Sequence, residues 1–167
     1  MPVRCHRLDG RVGIVTGASS GIGRAIARRV GCEGARLVLL ARRENLLSEL
    51  CAELSGEGID AAAIAADVCD PIAVQRAVEQ CVDRFQWINF VVHCAGQEAL
   101  GLLRMTNPER VDALVRVNQI GTINVARSAQ KHMSENGAIV NIASVSAFVG
   151  SPALSIYAMT KGGVISF

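Results

Sequence analysis

The feature that most constrains this chain is a rhythm. Short, almost wholly apolar runs alternate with amphipathic stretches long enough to be helices. "RVGIVTG" leads into "GIGRAIARRVGCEG", "RLVLLA" into "ENLLSELCAELSGEG", and "AAAIAADV" into a stretch that Asp70 caps and Pro71 opens. "INFVVHCAG" follows, and Asn107 with Pro108 repeats the cap-then-proline signal, which predicts one long helix to about Met133. "GAIVNIAS" is the fifth apolar run. A strand with one face in water alternates apolar and polar residues, whereas a strand apolar throughout is covered on both faces. The pattern therefore predicts an α/β fold, a doubly wound parallel sheet of Rossmann type in three layers, α/β/α. There is no internal repeat beyond the βα unit, no low-complexity segment and no linker, so residues 1–167 read as a single domain.

Composition excludes several function classes. Half the residues are hydrophobic and 19% are charged, which suits a packed core. A net charge of +2 gives no reason to expect nucleic acid or a membrane surface as partner, and 4% aromatics leave little for stacking bases. No apolar run reaches the ~18 residues of a membrane span. The opening "MPVRCHRLDGR" lacks the apolar core of an export signal. The six cysteines, Cys5, Cys32, Cys51, Cys69, Cys81 and Cys94, stand singly with no CxxC pair. Reduced thiols used for packing, and a cytoplasmic location, are expected. His6, His93 and His132 have no ligand spacing, and no metal site is expected.

The first apolar run ends in "TGASSGIG". Gly17, Gly21 and Gly23 allow a tight turn and a close approach of backbone N–H groups to a pyrophosphate. The helix that begins near Gly21 points its positive end at the same place. Ser19 and Ser20 can add hydroxyl contacts, and Ile22 lies in the same turn. Taken alone, this is also what any glycine-rich βα turn looks like. A dinucleotide site commonly has an acid at the end of the second strand for the ribose 2′-OH; here Ala41 stands there, followed by Arg42 and Arg43. An acid repels a 2′-phosphate and an arginine binds it, so NADP(H) is favoured over NAD(H), with Arg42 as the contact. Farther on, Tyr157, the single tyrosine, and Lys161 share a helical face at i and i+4. A neighbouring ammonium favours a phenolate and eases proton exchange.

"TGASSGIG", "HCAG" and "YAMTK", in this order, resemble the short-chain dehydrogenase/reductase family, the branch with TGxxxGxG and YxxxK, from about Leu8 to Phe167. The β-ketoacyl carrier-protein reductases of that family look similar. The resemblance implies four catalytic positions: Asn118 in "RVNQIGT", Ser144 at the end of the fifth strand, Tyr157 and Lys161. Tyr157 would be the general acid/base and Ser144 would steady the substrate oxygen. Lys161 would hold the nicotinamide ribose, and Asn118 would hold a water on the proton path. The resemblance also implies that Asp67, at the end of the third strand, accepts from the adenine amino group with Val68 beside the ring. Asp67 would otherwise read as a helix-entry acid. Ala95 and Gly96 let the chain lie against the cofactor, which Tyr157 and Lys161 also touch. His93 and Cys94 stand where the family has two asparagines that tie strands together, so a weaker sheet is expected there, with His93 as a hydrogen-bonded core residue.

Family members continue beyond this point. The chain is therefore expected to be a fragment, the N-terminal portion of a longer catalytic domain, with the fifth strand as an exposed edge. The parent would be a homo-dimer or homo-tetramer. The expected function is an NADP(H)-dependent oxidoreductase interconverting a carbonyl and a secondary alcohol on a small, apolar substrate. The alternatives are a truncated nucleotide-binding module without turnover and a lyase or epimerase on the same scaffold.

Overall fold

The structure, a computed structural model, describes residues 7–167. Cys5, His6 and most of the opening stretch lie outside the described residues. Strands β1 (Val12–Thr16), β2 (Arg36–Ala41), β3 (Ala61–Ala65), β4 (Ile88–His93) and β5 (Met133–Asn141) form one parallel sheet in the order β3-β2-β1-β4-β5. Helices α1 (Gly21–Cys32), α2 (Glu44–Gly56), α3 (Pro71–Phe85), α4 (Pro108–Val115), α5 (Gly121–Ala129) and α6 (Ser155–Ser166) connect and cover it. The strand order reverses between β1 and β4, and such a switch point opens a crevice at the carboxyl ends of the strands.

Two cores explain why the strands are apolar at every position. Val12 and Ile14 of β1, with Val38 and Leu40 of β2, pack with α3 and α5 on one face. Val15, Leu37 and Leu39 point the other way and pack with α1 and α2. On that second face Leu47, Leu50 and Leu54 are completely buried, each contributing about 1.5–3 kcal/mol. Both helix caps form as expected: the Asp70 carboxylate accepts from Ile72 N at 2.9 Å and Ala73 N at 3.1 Å, and Asn107 Oδ1 accepts from Arg110 N at 2.9 Å. No described helix is long and apolar enough to cross a membrane.

The structure departs from the sequence reading in three places. The helix expected from Asn107 to Met133 is broken: a π turn, Arg116–Ile120, separates α4 from α5, and a 3₁₀ turn, Gln130–His132, closes the segment. The fifth strand begins at Met133, not Gly137. Met133 pairs with Ile88 and Ala138 with Phe90, so a bulge absorbs the intervening residues. That strand ends at Asn141 and β3 ends at Ala65, which places Ser144 and Asp67 in the loops after their strands.

Candidate active site

β1 delivers Thr16 and Gly17 to the crevice. Gly17 has φ +64, and a Cβ there would stand 2.8 Å from Ala95 N. A Cβ on Gly23 would collide with the Gly17 carbonyl, so the turn lies flush on both α1 and the end of β4. Ser20 is the N-cap of α1, yet its side chain makes no cap bond. Its hydroxyl accepts from Arg43 Nη2 at 2.6 Å instead. The first N–H groups of α1 thus keep the anion-binding character of an uncapped helix end.

A cleft of about 490 Å³ opens beside this turn. The segment from Gly17 to Gly23, including Ser19, Ser20, Gly21 and Ile22, forms one part of its lining. Arg42 and Arg43 follow β2, Asp67 and Val68 follow β3, and Ala95 and Gly96 follow β4. Every expected cofactor residue except Tyr157 and Lys161 therefore meets at this cleft. The two arginines differ. Arg42 is 72% exposed, 4.0 Å from Asp67. Arg43 is held by the serine hydroxyls, donating to Ser19 Oγ from Nε at 3.2 Å and Nη2 at 2.9 Å. The sequence reading favoured Arg42 over Arg43; the contact of Arg43 with Ser19 and Ser20 depends on the fold. The Asp67 carboxylate accepts from Cys69 N at 2.9 Å.

Two of the remaining expected residues, Asn118 and Lys161, meet at Gly96. A Cβ at Gly96 would lie 3.3 Å from both Asn118 Oδ1 and Lys161 Nζ. Lys161 is 6% exposed, and its ammonium donates to the Ile142 carbonyl at 2.6 Å. It lies 6.0 Å from the centre of the Tyr157 ring. Burial holds the Lys161 pKa below its ordinary value. The Cys94 thiol, in the lining of the cleft, is pushed up to about 11 by burial, with Lys161 opposing.

Asn118 sits in the π turn and is 1% exposed. Its Oδ1 accepts from Gln97 N at 2.8 Å; its Nδ2 donates to Gln97 O and to Thr160 Oγ1, both at 2.9 Å. Thr160 in turn donates to the Tyr157 carbonyl at 2.8 Å. Its role escaped the sequence reading, although it lies inside "YAMTK". Ser144 caps the 3₁₀ turn Val145–Ala147, and its oxygen accepts from Ser146 N at 3.2 Å and from the Ser146 hydroxyl at 2.8 Å. With its oxygen occupied in this way, the Ser144 proton is free to bond another acceptor. No hydrogen bond joins Ser144 to Tyr157 among the described residues.

His93 is the core histidine the sequence suggested, 3% exposed, with Nδ1 2.8 Å from Thr16 Oγ1. The strand tie expected to weaken with the loss of asparagine is thus made by an imidazole. Burial, and then the Lys161 charge, lower the His93 pKa to about 4.

The sequence matches the family model for short chain dehydrogenase over residues 11–167. It is 39% identical over 164 residues to versicolorin reductase 1 of Aspergillus parasiticus, covering 97% of this chain and 63% of that protein. Among solved structures, a short chain dehydrogenase from Burkholderia cenocepacia in complex with NADP superposes with a TM-score of 0.91 at 33% identity, covering 96% of this chain and 66% of that one. A short chain dehydrogenase/reductase from Burkholderia phymatum in complex with NAD gives 0.91 at 29% identity, covering 95% and 58%. The order of the strands, the glycine turn at the switch point and the match across residues 11–167 agree: the chain belongs to the short-chain dehydrogenase family.

Proposed function

We propose that this chain carries the dinucleotide site and the proton-transfer residues of an oxidoreductase that interconverts a carbonyl and a secondary alcohol, with NADP(H) favoured over NAD(H). The observation that carries this reading is the convergence at Gly96, where the cleft, Lys161 and Asn118 meet. The cleft suits a dinucleotide: a glycine turn with no room for a Cβ at Gly17 or Gly23, an uncapped helix end for a pyrophosphate, and two guanidinium groups at the rim. A nicotinamide dinucleotide, when bound, supplies or accepts the hydride.

The protein's own groups then have distinct tasks. Arg42 binds the 2′-phosphate and Arg43 adds a fixed cation beside it. Asp67 accepts from the adenine amino group, and Val68 packs against the ring. Lys161 holds the nicotinamide ribose and stabilises charge on the Tyr157 oxygen as its proton leaves. Tyr157 gives that proton to the substrate oxygen during reduction and takes it back during oxidation. Ser144 donates its free hydroxyl proton to the same oxygen, where charge develops. Asn118 clamps Gln97 to Thr160 and so sets α6, with Tyr157 on it, against the cleft. In this reading residues 1–167 act as one dinucleotide-binding domain. Leu100, Leu103, Met105 and Phe148 are each more than 60% exposed, and support an apolar substrate.

A second reading, dinucleotide binding without turnover, is favoured by the missing bond between Ser144 and Tyr157. Fluorescence titration with NADPH and NADH tests the cofactor choice; tighter NADH binding overturns it. A panel of apolar ketones then separates the readings. Consumption of NADPH supports the reductase, and binding with no consumption across the panel supports the module.

A further inference from the structure

Behind the cleft, the hydrogen-bond inventory of one side chain leaves a single solution. Thr16 is fully buried, and its hydroxyl has three neighbours. Cys94 N and Ala95 N donate to it at 3.2 and 3.1 Å, and His93 Nδ1 lies at 2.8 Å. A hydroxyl has one proton and two lone pairs. The two backbone N–H groups fill the lone pairs, so the one proton goes to Nδ1. The imidazole then accepts at Nδ1, is neutral, and carries its own proton on Nε2.

That Nε2–H is buried without a partner, and so is Asn141 Oδ1. His93 and Asn141 are register partners on β4 and β5, so both side chains leave the same face of the sheet. A donor and an acceptor are thus orphaned on neighbouring strands, and one bridging water would satisfy both. The neighbouring backbone belongs to the same assembly. Ile142 N donates to the His93 carbonyl at 3.1 Å, and the Ile142 carbonyl receives the Lys161 ammonium. Lys161, from α6, is the charged group facing the imidazole, and Cys94 is the adjoining thiol.

We propose that His93 is a positioning residue held as the neutral Nε2–H tautomer, linking Thr16 of β1 to Asn141 of β5. It thereby fixes the two backbone segments, Ala95–Gly96 and Ile142, between which the Lys161 ammonium sits. One imidazole spans three strands here, tying the outer strand that anchors the lysine to the strand that carries the glycine turn. Protonation of the ring would put a third donor against the Thr16 hydroxyl and a second cation beside Lys161. The low His93 pKa agrees with this.

The consequence for Lys161 rests on the dinucleotide reading; the tautomer does not, and the test separates them. Histidine ¹⁵N spectra of the labelled chain are recorded from pH 5 to 8, with His93 assigned through His93→Asn. The expected result is a neutral Nε2–H ring that does not titrate. An Nδ1–H tautomer, or titration near the ordinary ~6.5, overturns the proposal. NADPH titration then reads the positioning. Thr16→Val removes the donor and His93→Leu the acceptor, and each should weaken binding about tenfold. Thr16→Ser keeps the hydroxyl, and His93→Asn keeps an acceptor where Nδ1 stood; both should stay within about threefold of wild type. Wild-type affinity in all four variants overturns the positioning role. If the unaltered chain binds no NADPH, the proposed function fails, and the ¹⁵N spectra alone decide the tautomer.

Discussion

No apolar side chain of β1 or β2 is more than 9% exposed, whereas Val140 of β5 is 49% exposed, and Val145 and Phe148 beyond it reach 75% and 76%. The glycine turn and both arginines hang from the first region, and Ser144, Tyr157 and Lys161 follow the second. Packing on two faces therefore determines the dinucleotide cleft. The second region depends on a few polar contacts: Lys161 to Ile142, and Asn118 to Gln97 and Thr160. A buried core holds position through many small contacts, and a hydrogen-bonded clamp through a few strong ones. Binding and chemistry should consequently be separable by mutation.

The sharpest separation is Tyr157→Phe, which removes the proposed proton donor and keeps the ring. Turnover should fall by ~10²–10⁴-fold while NADPH affinity holds. Steady-state kinetics with a binding titration checks this; a parallel loss of affinity would show that the two regions act as one. Acid should strain the seam between them. His93 has a folded pKa of about 4, below the ~6.5 of an unfolded histidine, so the unfolded chain binds the extra proton between those values. Stability should thus rise with pH from about 4 to 6.5, by about 3 kcal/mol. Urea unfolding across that range reads it, and His93→Asn should flatten the slope.

A smaller effect isolates the binding side. Arg42→Asp should weaken NADPH by more than about tenfold, ~1.4 kcal/mol, with NADH unchanged or improved. An unaltered ratio of the two affinities would transfer the phosphate to Arg43. Smallest is Asp70→Ala, which removes the cap of α3 and should cost about 1 kcal/mol. Thermal unfolding should register that loss, and NADPH affinity should not change. A drop in affinity would mean that the buried region transmits local fraying to its cleft.

Much of the fold was legible because its signals are local. Period and apolarity gave the strands, and the pairs Asp70–Pro71 and Asn107–Pro108 gave two helix starts that the structure keeps. The start of β5 was not legible, because "MSEN" is polar and enters the sheet only through a bulge against Ile88 and Phe90. The π turn has no residue signature, since ordinary helix formers on either side read as one helix. At the site, the glycine turn and the Tyr157–Lys161 pair are visible as spacings. The Arg43 contact with the serine hydroxyls and the Thr16–His93 bond are not. Each joins residues far apart in the chain, and only the parallel register brings them together.

The π turn at Arg116–Ile120 also bears on how this stretch of chain can change over generations. Such a turn behaves as a helix with one residue too many. Deleting any one of its five residues would let α4 and α5 run on as a single regular helix, a gain in local regularity. Everything after the cut would keep its orientation about the axis, because the wide turn already absorbs the extra residue. Val125 and Ala129, now 2% and 0% exposed, would stay in the core. A loss at Asn118 or before it would nevertheless misalign the clamp on Gln97 and Thr160. The extra residue therefore serves the clamp and not the core, and a one-codon loss that tidies the backbone should spare the fold while costing the Asn118 hydrogen bonds.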